Sequence, residues 1–191
     1  MGLLNTKDGY GALTKVLHWL VVVLFAFQFA AASTMLRLGP TETALGLTQA
    51  TFYNWHKSIG LVALAVALLR LLARKGGRLP DWAPALSARE RSLVHHAERL
   101  LYTAMFLMPV SGFLYVMAGG YGVKLFGVVD LANPIGEREW LATASKWTHI
   151  VSSYVLLLTL AGHVGLVLRH QLVLKDRLLH RMLPGGRSDK T

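Results

Sequence analysis

Residues 147–168 read WTHIVSSYVLLLTLAGHVGLVL and carry two histidines, His149 and His163, fourteen positions apart. At about 100° and ~1.5 Å per residue, fourteen residues return an α-helix to nearly the same face, ~21 Å further along its axis. The run is long and apolar enough to cross a bilayer, and ionisable side chains inside such a span normally face a partner, a cavity or a metal. The segment therefore predicts a transmembrane helix that presents two imidazoles to one side.

Three further runs have the same apolar character. Hydrophobic residues make up 53% of the chain and charged residues 16%, and the mean hydropathy is +0.43. A spanning helix needs about 20 mostly apolar residues, and the segments that qualify are 16–35, 52–72, 100–118 and 147–168. The first is too long for the apolar region of a signal peptide. The sequence therefore predicts an all-α fold, an integral membrane four-helix bundle that forms a single domain over residues 1–191.

Lysine and arginine are distributed unequally between the two ends of this bundle. Four spans place both termini on one side, together with the connection between the second and third spans, and that side carries fifteen of the twenty basic residues. The fifteen are Lys7, Lys15, Arg70, Arg74, Lys75, Arg78, Arg89, Arg91, Arg99, Arg169, Lys175, Arg177, Arg181, Arg187 and Lys190. The positive-inside rule predicts that both termini are cytoplasmic. The basic charge thus reflects topology and contact with membrane lipid, and the stacking aromatics of a soluble nucleic-acid-binding domain are absent.

Two more histidines, His18 and His56, lie near the ends of the first and second spans. Because successive spans run in opposite directions, His18 and His163 fall near the cytoplasmic side, and we call them the inner pair. His56 and His149 fall near the other side, and we call them the outer pair. The four histidines therefore predict two stacked metal centres to which the fourth helix contributes one ligand each, while the third helix forms a wall.

The residue types restrict the metal. The chain has no cysteine, which excludes thiolate ligands and the covalent attachment of c-type haem. The spans are nearly free of the carboxylates expected at a catalytic zinc or a di-iron centre. Imidazoles alone, drawn from two helices, favour haem iron that is held noncovalently between two axial histidines.

The remaining histidines have other expected roles. His170 follows His163 by seven residues and lies ~10 Å further along the same face, so it is an alternative ligand. We favour His163 because it lies within the apolar span. His95 and His96 precede the third span and are expected to form a polar helix end, with quinone binding or proton delivery as the alternative. His180 lies in the basic tail and is expected to face solvent or lipid.

Arg70 is a candidate cofactor-binding residue. It follows His56 by fourteen residues and so shares its face at the opposite end of the second helix. A guanidinium binds carboxylates bidentately, which suits a propionate of the inner haem, and a snorkelling anchor at the membrane boundary is an equal alternative. Gly60, Ala63 and Ala67 extend this face with small side chains, which suit either a porphyrin or close helix packing.

The connections carry local signals. Residues 76–80, GGRLP, are expected to break the second helix, and residues 87–90, SARE, predict a capping box that starts the third helix below the membrane. Pro109 and Gly112 lie inside that helix, where neighbouring helices can compensate for a lost hydrogen bond. Residues 137–145 are expected to form a short interfacial helix.

Short motifs along almost the whole chain resemble one known pattern. They are LHWL (17–20), WHKSIG (55–60), Tyr102 with MPVSG (108–112), the pair His149 and His163, KDR (175–177) and RMLP (181–184). In order and spacing they resemble the bacterial branch of the cytochrome b561 family. The resemblance implies a multi-pass dihaem electron carrier of the bacterial inner membrane, with two haem b groups that each have two axial histidines. It also implies electron transfer between an unidentified donor and ubiquinone or another quinone.

Other functions stay open from the sequence. A haem b anchor subunit of a dehydrogenase or hydrogenase uses similar multi-histidine spans. A transporter or ion channel would usually show acidic residues or broken helices in its spans, and Pro109 is the only such break. Quinone is expected at one membrane boundary, with the inner side favoured because His95, His96, Arg70 and Arg169 offer polar contacts there. A homodimer is also left open.

Overall fold

Four long helices make up most of the computed structural model, which describes residues 2–176 and 178–185. They are α1 (Ala12–Met35), α2 (Gln49–Lys75), α3 (Ala88–Ala118) and α4 (Glu139–Leu168). Each is long and apolar enough to cross a membrane, so the predicted all-α membrane four-helix bundle is confirmed. Arg177, Arg187 and Lys190, which entered the charge count, lie outside the described residues.

Two short antiparallel hairpins lie between helices at one end of the bundle, which we call the hairpin end. β1 (Thr43–Ala44) pairs with β2 (Leu47–Thr48) between α1 and α2, and β3 (Lys124–Leu125) pairs with β4 (Val129–Asp130) between α3 and α4. The second hairpin is tied to α2 next to His56. Ser58 Oγ accepts a hydrogen bond of 2.7 Å from the Phe126 amide, and Lys57 Nζ donates one of 3.0 Å to the Gly122 carbonyl.

The helices pack as two pairs. α1 packs along α2, α3 packs along α4, and a lighter contact joins α2 to α3. Within the described residues, α4 approaches neither α1 nor α2 closely enough for more than marginal backbone contact. The two helix pairs are therefore joined mainly through α2 and α3. A small apolar cluster of Ala31, Met35 and Phe52 closes the α1–α2 side at the hairpin end.

The predicted start of α3 is confirmed. Ser87 Oγ accepts a hydrogen bond of 3.3 Å from the Glu90 amide, and the Glu90 carboxylate accepts one of 2.9 Å from the Ser87 amide. This capping box satisfies amides that a helix start would leave unpaired. The predicted break after α2 is also observed, since that helix ends at Lys75 and Gly76 caps it.

The expected short helix over residues 137–145 is not a separate element. α4 begins at Glu139 and continues without interruption to Leu168. No glycine or proline lies between Glu139 and Trp147, so nothing stops the helix from propagating into the span. Beyond α4 the chain continues as a π-helix, Arg169–Leu174, which ends at Lys175 in the left-handed conformation with φ 57°.

The last described residues fold back over the start of α1, at the end of the bundle that we call the terminal end. They include a short 3₁₀ helix, Leu178–Arg181. Trp19 Nε1 donates a hydrogen bond of 2.9 Å to the Met182 carbonyl, and Lys15 Nζ donates one of 3.0 Å to the Leu183 carbonyl. The tail thus covers the turn of α1 that carries His18.

Candidate metal centres

The structure brings His56 and His149 together across the gap between α2 and α4. Their ring centroids are 6.2 Å apart and the ring planes are almost perpendicular, at 80°. A bond between an imidazole nitrogen and a metal is about 2 Å long. A separation of this size leaves room for one metal ion with one such bond to each ring, which fits the outer pair as a ligand set.

The surroundings of His149 select one tautomer. Its Nδ1 lies 2.8 Å from the Met108 carbonyl oxygen, which can only accept a hydrogen bond. Nδ1 therefore carries the proton, and Nε2 keeps the lone pair that a metal requires. Ser111 Oγ donates to the Leu107 carbonyl at 2.6 Å and lies 3.4 Å from the same His149 nitrogen.

Gly112 allows α3 to approach the His149 ring this closely. A Cβ atom at this position would lie 3.1 Å from His149 Nδ1 and Cε1, closer than comfortable van der Waals contact. The third helix is therefore more than a wall, since it orients a candidate ligand. Sequence reasoning missed the roles of Met108 and Ser111, although both belong to the MPVSG motif, whose proline and glycine mark an unusual helix segment.

His56 is held differently from His149. Its Nδ1 is buried and has no hydrogen-bond partner among the described residues. Its backbone carbonyl accepts a hydrogen bond of 3.0 Å from Gln28 Nε2 on α1. The two rings of the outer pair thus lie close together, but only His149 has a well-formed orienting hydrogen bond, since the Gln28 backbone carbonyl approaches the His56 ring without hydrogen-bond geometry.

The inner pair lies across the gap between α1 and α4. His18, His163 and Arg70 lie within electrostatic range of one another, although α1 and α4 barely touch within the described residues. Two imidazoles and one guanidinium thus lie near one another towards the terminal end, and the Glu98 carboxylate, which is paired with Arg74, lies within the same range of His163. A group that carries both a metal and an acidic substituent fits this donor set.

The Arg70 guanidinium has unpaired hydrogen-bond donors. Its Nε and Nη1 atoms are buried and have no hydrogen-bond partner among the described residues, and its guanidinium lies 5.7 Å from the centroid of the Tyr102 ring. The neighbouring Arg74 is instead paired through both of its terminal nitrogens with the Glu98 carboxylate. Buried, unpaired donors fit an anionic ligand better than they fit a snorkelling anchor, because an unpaired buried polar group is costly.

His170 has both ring nitrogens engaged. The side chain is fully buried, with Nδ1 2.5 Å from Asp176 Oδ2 and Nε2 3.3 Å from Glu90 Oε1. Arg169 is paired with the same Glu90 oxygen. Since neither imidazole nitrogen is free to bind a metal, this geometry favours His163 over His170 as the ligand on α4.

The other histidines lie away from the gap between the helix pairs. His95 and His96 are exposed, and His96 Nδ1 lies 2.7 Å from the Ser92 carbonyl oxygen, as expected of a polar helix end. His180 was expected to face solvent or lipid. It is half-buried, with its Nδ1 atom buried, because the tail folds back over α1.

A cavity of about 460 Å³ lies at the hairpin end, between the end of α3 and the start of α4. Its lining includes Tyr115, Gly119, Tyr121, Glu137, Arg138, Glu139, Thr143 and Lys146. Lys146 precedes His149 by three residues, which is about one helical turn. The cavity therefore lies at the same end of the bundle as the outer pair, although neither histidine lines it.

Comparisons with known proteins point to one family. The family model described as prokaryotic cytochrome b561 matches residues 9–185. Cytochrome b561 homolog 2 of Escherichia coli (strain K12) is 25% identical over 99% of this chain and 98% of its own length. The probable superoxide oxidase CybB of Yersinia pestis is 26% identical over 93% and 97%. Cytochrome b562 of Cereibacter sphaeroides is 26% identical over 94% and 98%.

Proposed function

The chain belongs to the prokaryotic cytochrome b561 family, haem-containing proteins of membrane electron transfer, and we propose that it carries two haem b groups that connect a donor with the quinone pool across the bacterial inner membrane. One observation carries the proposal. His56 and His149 lie together at the hairpin end, and His18 lies within electrostatic range of His163 towards the terminal end, in both cases from helices that have little backbone contact. Bound haem supplies a reversible one-electron couple between ferric and ferrous iron.

The residues have separate roles in this proposal. His56 and His149 would hold the haem iron at the hairpin end, and His18 and His163 would hold the one at the terminal end. Arg70 would bind a propionate of the inner haem through its buried, unpaired donors. With two histidines on each iron, no coordination position is left for a substrate, so electrons move by tunnelling between neighbouring groups.

We place the terminal end in the cytoplasm. The support is the charge distribution, fifteen basic residues against five. A reporter fused to the carboxyl terminus tests it. Green fluorescent protein should fluoresce there, and alkaline phosphatase should be inactive, because the first folds in the cytoplasm and the second needs the periplasm. The reverse result would contradict the orientation.

Quinone exchange is proposed at the inner boundary, where Arg169, His95 and His96 remain exposed at the surface. Reduction by a short-chain quinol, followed by stopped-flow spectroscopy, tests this. A variant that lacks the inner haem should be reduced much more slowly than the wild type, whereas reduction at the wild-type rate would exclude the inner site.

The stoichiometry of haem tests the core of the proposal. A pyridine haemochrome assay on fully loaded protein should give two haem b groups per polypeptide, and a reduced-minus-oxidised spectrum should show the bands of a b-type cytochrome. A reproducible value of one haem per chain would overturn the paired-ligand scheme.

A second candidate function is oxidation of superoxide, which would then be the electron donor. One relative is named a probable superoxide oxidase. The cavity at the hairpin end is lined by two cations, Arg138 and Lys146, and two carboxylates, Glu137 and Glu139; the cations would attract a small anion and the carboxylates would repel it. Superoxide would give up one electron there and leave as dioxygen. Replacing both cations by glutamine should slow haem reduction by superoxide at low ionic strength, whereas Lys124→Gln, outside the cavity lining, should not. Equal rates in all three proteins would argue against this donor.

A further inference from the structure

Gln28 is an amide in the apolar interior of α1. It lies ten residues after His18, ~15 Å nearer the hairpin end. Its Nε2 donates a hydrogen bond of 3.0 Å to the backbone carbonyl of His56, while its Oε1 is buried without a partner among the described residues. A polar atom left unpaired within a membrane span is energetically costly, so a hydrogen bond to Gln28 Oε1 would stabilise the protein.

A complementary unpaired group lies on the residue that Gln28 already contacts. His56 Nδ1 is buried and has no partner among the described residues. A histidine that binds a metal through one ring nitrogen almost always donates the proton on the other to a carbonyl, carboxylate or water. His149 satisfies this rule through the Met108 carbonyl, whereas His56 has only a loose contact with the Gln28 backbone carbonyl, which falls short of hydrogen-bond geometry.

The backbone of α2 admits the glutamine at this position. A Cβ atom on Gly60 would lie 3.0 Å from Gln28 Nε2, and Gly60 follows His56 by one helical turn. Gly60, on the same face as the candidate ligand, thus lets the Gln28 amide lie close against α2, and any larger side chain there would make the amide shift.

We propose that Gln28 is a positioning residue of the outer pair. Its Oε1 accepts a hydrogen bond from His56 Nδ1–H when His56 Nε2 binds the outer haem, so that both ligands of the pair are held in the same tautomer. The inference rests on the proposed outer haem and assigns a role to a residue outside its ligand set. Gln28 Oε1 is a hydrogen-bond acceptor without a donor, and protonated His56 Nδ1 is a donor without a well-placed acceptor.

The expected effect follows from the ligand's electron density. An acceptor on Nδ1–H makes the imidazole a stronger electron donor, which stabilises ferric over ferrous iron and lowers the reduction potential. Gln28→Leu removes the acceptor and should shift the outer haem to a higher potential while leaving the inner haem unchanged. Gln28→Glu keeps an acceptor oxygen and should leave the potential at the wild-type value or lower it.

Potentiometric titration of the full-length dihaem protein measures both haems, with the outer wave assigned by its loss in His56→Ala. The matched control is Gln171→Leu, since Gln171 also has a buried, unpaired Oε1 but lies in the π-helix at the terminal end. Gln171→Leu should leave the outer potential at the wild-type value.

Two results would overturn the inference. The first is an outer potential that does not differ between Gln28→Leu and Gln171→Leu. The second is an equal upward shift of the outer potential in Gln28→Leu and Gln28→Glu, which would indicate a change of local polarity alone. If Gln28→Leu does not assemble, Gln28→Met removes the amide oxygen while keeping a side chain of similar length and should give the same upward shift, and an unchanged outer potential there would equally overturn it. Failure of the underlying function is distinguishable, because the unaltered protein would then lack an outer haem that depends on His56.

Discussion

His149 is the most constrained of the four candidate ligands, and its constraint comes from α3. The Met108 carbonyl fixes the protonated nitrogen, and Gly112 lets the helix backbone lie against the ring. Hydrogen bonds to the ring nitrogen that does not bind the metal, in a histidine ligand, typically change metal affinity by about one to two orders of magnitude. At the residue scale, the outer centre therefore depends on groups that bind no metal themselves.

Gly112→Val should weaken binding of the outer haem. The Cβ alone would come within 3.1 Å of the His149 ring, and the two branches of valine force the imidazole further from its hydrogen-bonded position. We expect a lower haem-to-protein ratio with the inner haem retained, measured by pyridine haemochrome and difference spectra. Gly162→Val on α4 is the matched control, because a Cβ there meets nothing within 4 Å. Equal haem loss in both variants would show that the effect is not specific to His149.

Single histidine variants should separate the two centres. His56→Ala or His149→Ala should remove the outer haem and halve the haem-to-protein ratio, and His18→Ala or His163→Ala should do the same to the inner haem. His170→Ala should retain both, because its two nitrogens face carboxylates. The assignment on α4 would be wrong if His170→Ala abolished the inner haem while His163→Ala left it intact.

At the scale of elements, the start of α3 is joined to the end of α4 by Glu90. Its carboxylate accepts hydrogen bonds from Ser87 in the capping box and also contacts Arg169 and His170 beyond α4. Glu90 lies ten residues before the apolar span that begins at position 100. One side chain thus caps a helix and links the first turn of α3 to the chain that follows α4.

Glu90→Gln should destabilise the protein in a pH-dependent way. Hydrogen bonds from the Ser87 side chain and backbone, with a further one from Arg169, lower the pKa of Glu90 from its usual value of about 4.5 to about 2. Because the folded-state pKa is the lower one, the stabilisation is complete above about pH 4.5 and is lost as the pH falls towards 2. Thermal unfolding in detergent should therefore show a difference between wild type and variant at pH 6 that narrows below pH 4.5.

Glu139→Gln is the control for this experiment, since Glu139 also lies in the first turn of a helix but has no capping box. A difference between Glu90→Gln and wild type that stayed constant from pH 6 to pH 2.5 would contradict the role assigned to the carboxylate.

At the scale of the whole molecule, the two helix pairs are joined mainly through α2 and α3, and each candidate ligand pair takes one histidine from each helix pair. α1–α2 and α3–α4 are the well-packed units, with only a lighter contact from α2 to α3. Direct packing therefore contributes little to holding α4 against α1 and α2, and we expect bound haem to supply much of that connection.

Protein produced without haem should be markedly less stable than the loaded protein. A ligand at a thousand times its dissociation constant stabilises the folded state by about 4 kcal/mol, and two sites would act together. Thermal unfolding should begin at a lower temperature, and the connection between the helix pairs, residues 76–87, should be cleaved faster by protease. Equal unfolding temperatures and cleavage rates with and without haem would contradict this dependence.

The helices could be predicted from the sequence because apolar runs of this length have few other structures available in lipid. The two histidine pairs were predicted from the positions of the histidines and from the alternating direction of the transmembrane helices. The contacts of His149 with Met108 and of Gln28 with His56 could not be predicted, because they depend on how each helix is rotated about its axis. Sequence spacing fixes which residues share a face, but not which neighbour that face meets.

The division into two helix pairs also bears on how the protein is made. As the chain leaves the ribosome, α1 and α2 can enter the membrane and pack together before α3 is synthesised, and α3 and α4 can follow as a second hairpin. Both halves of each histidine pair are present only after α4 has been inserted, because α4 supplies one member to each. Cofactor insertion would then be the final step of biogenesis, and cells short of haem would accumulate an inserted but unjoined precursor, a natural substrate for membrane quality-control proteases.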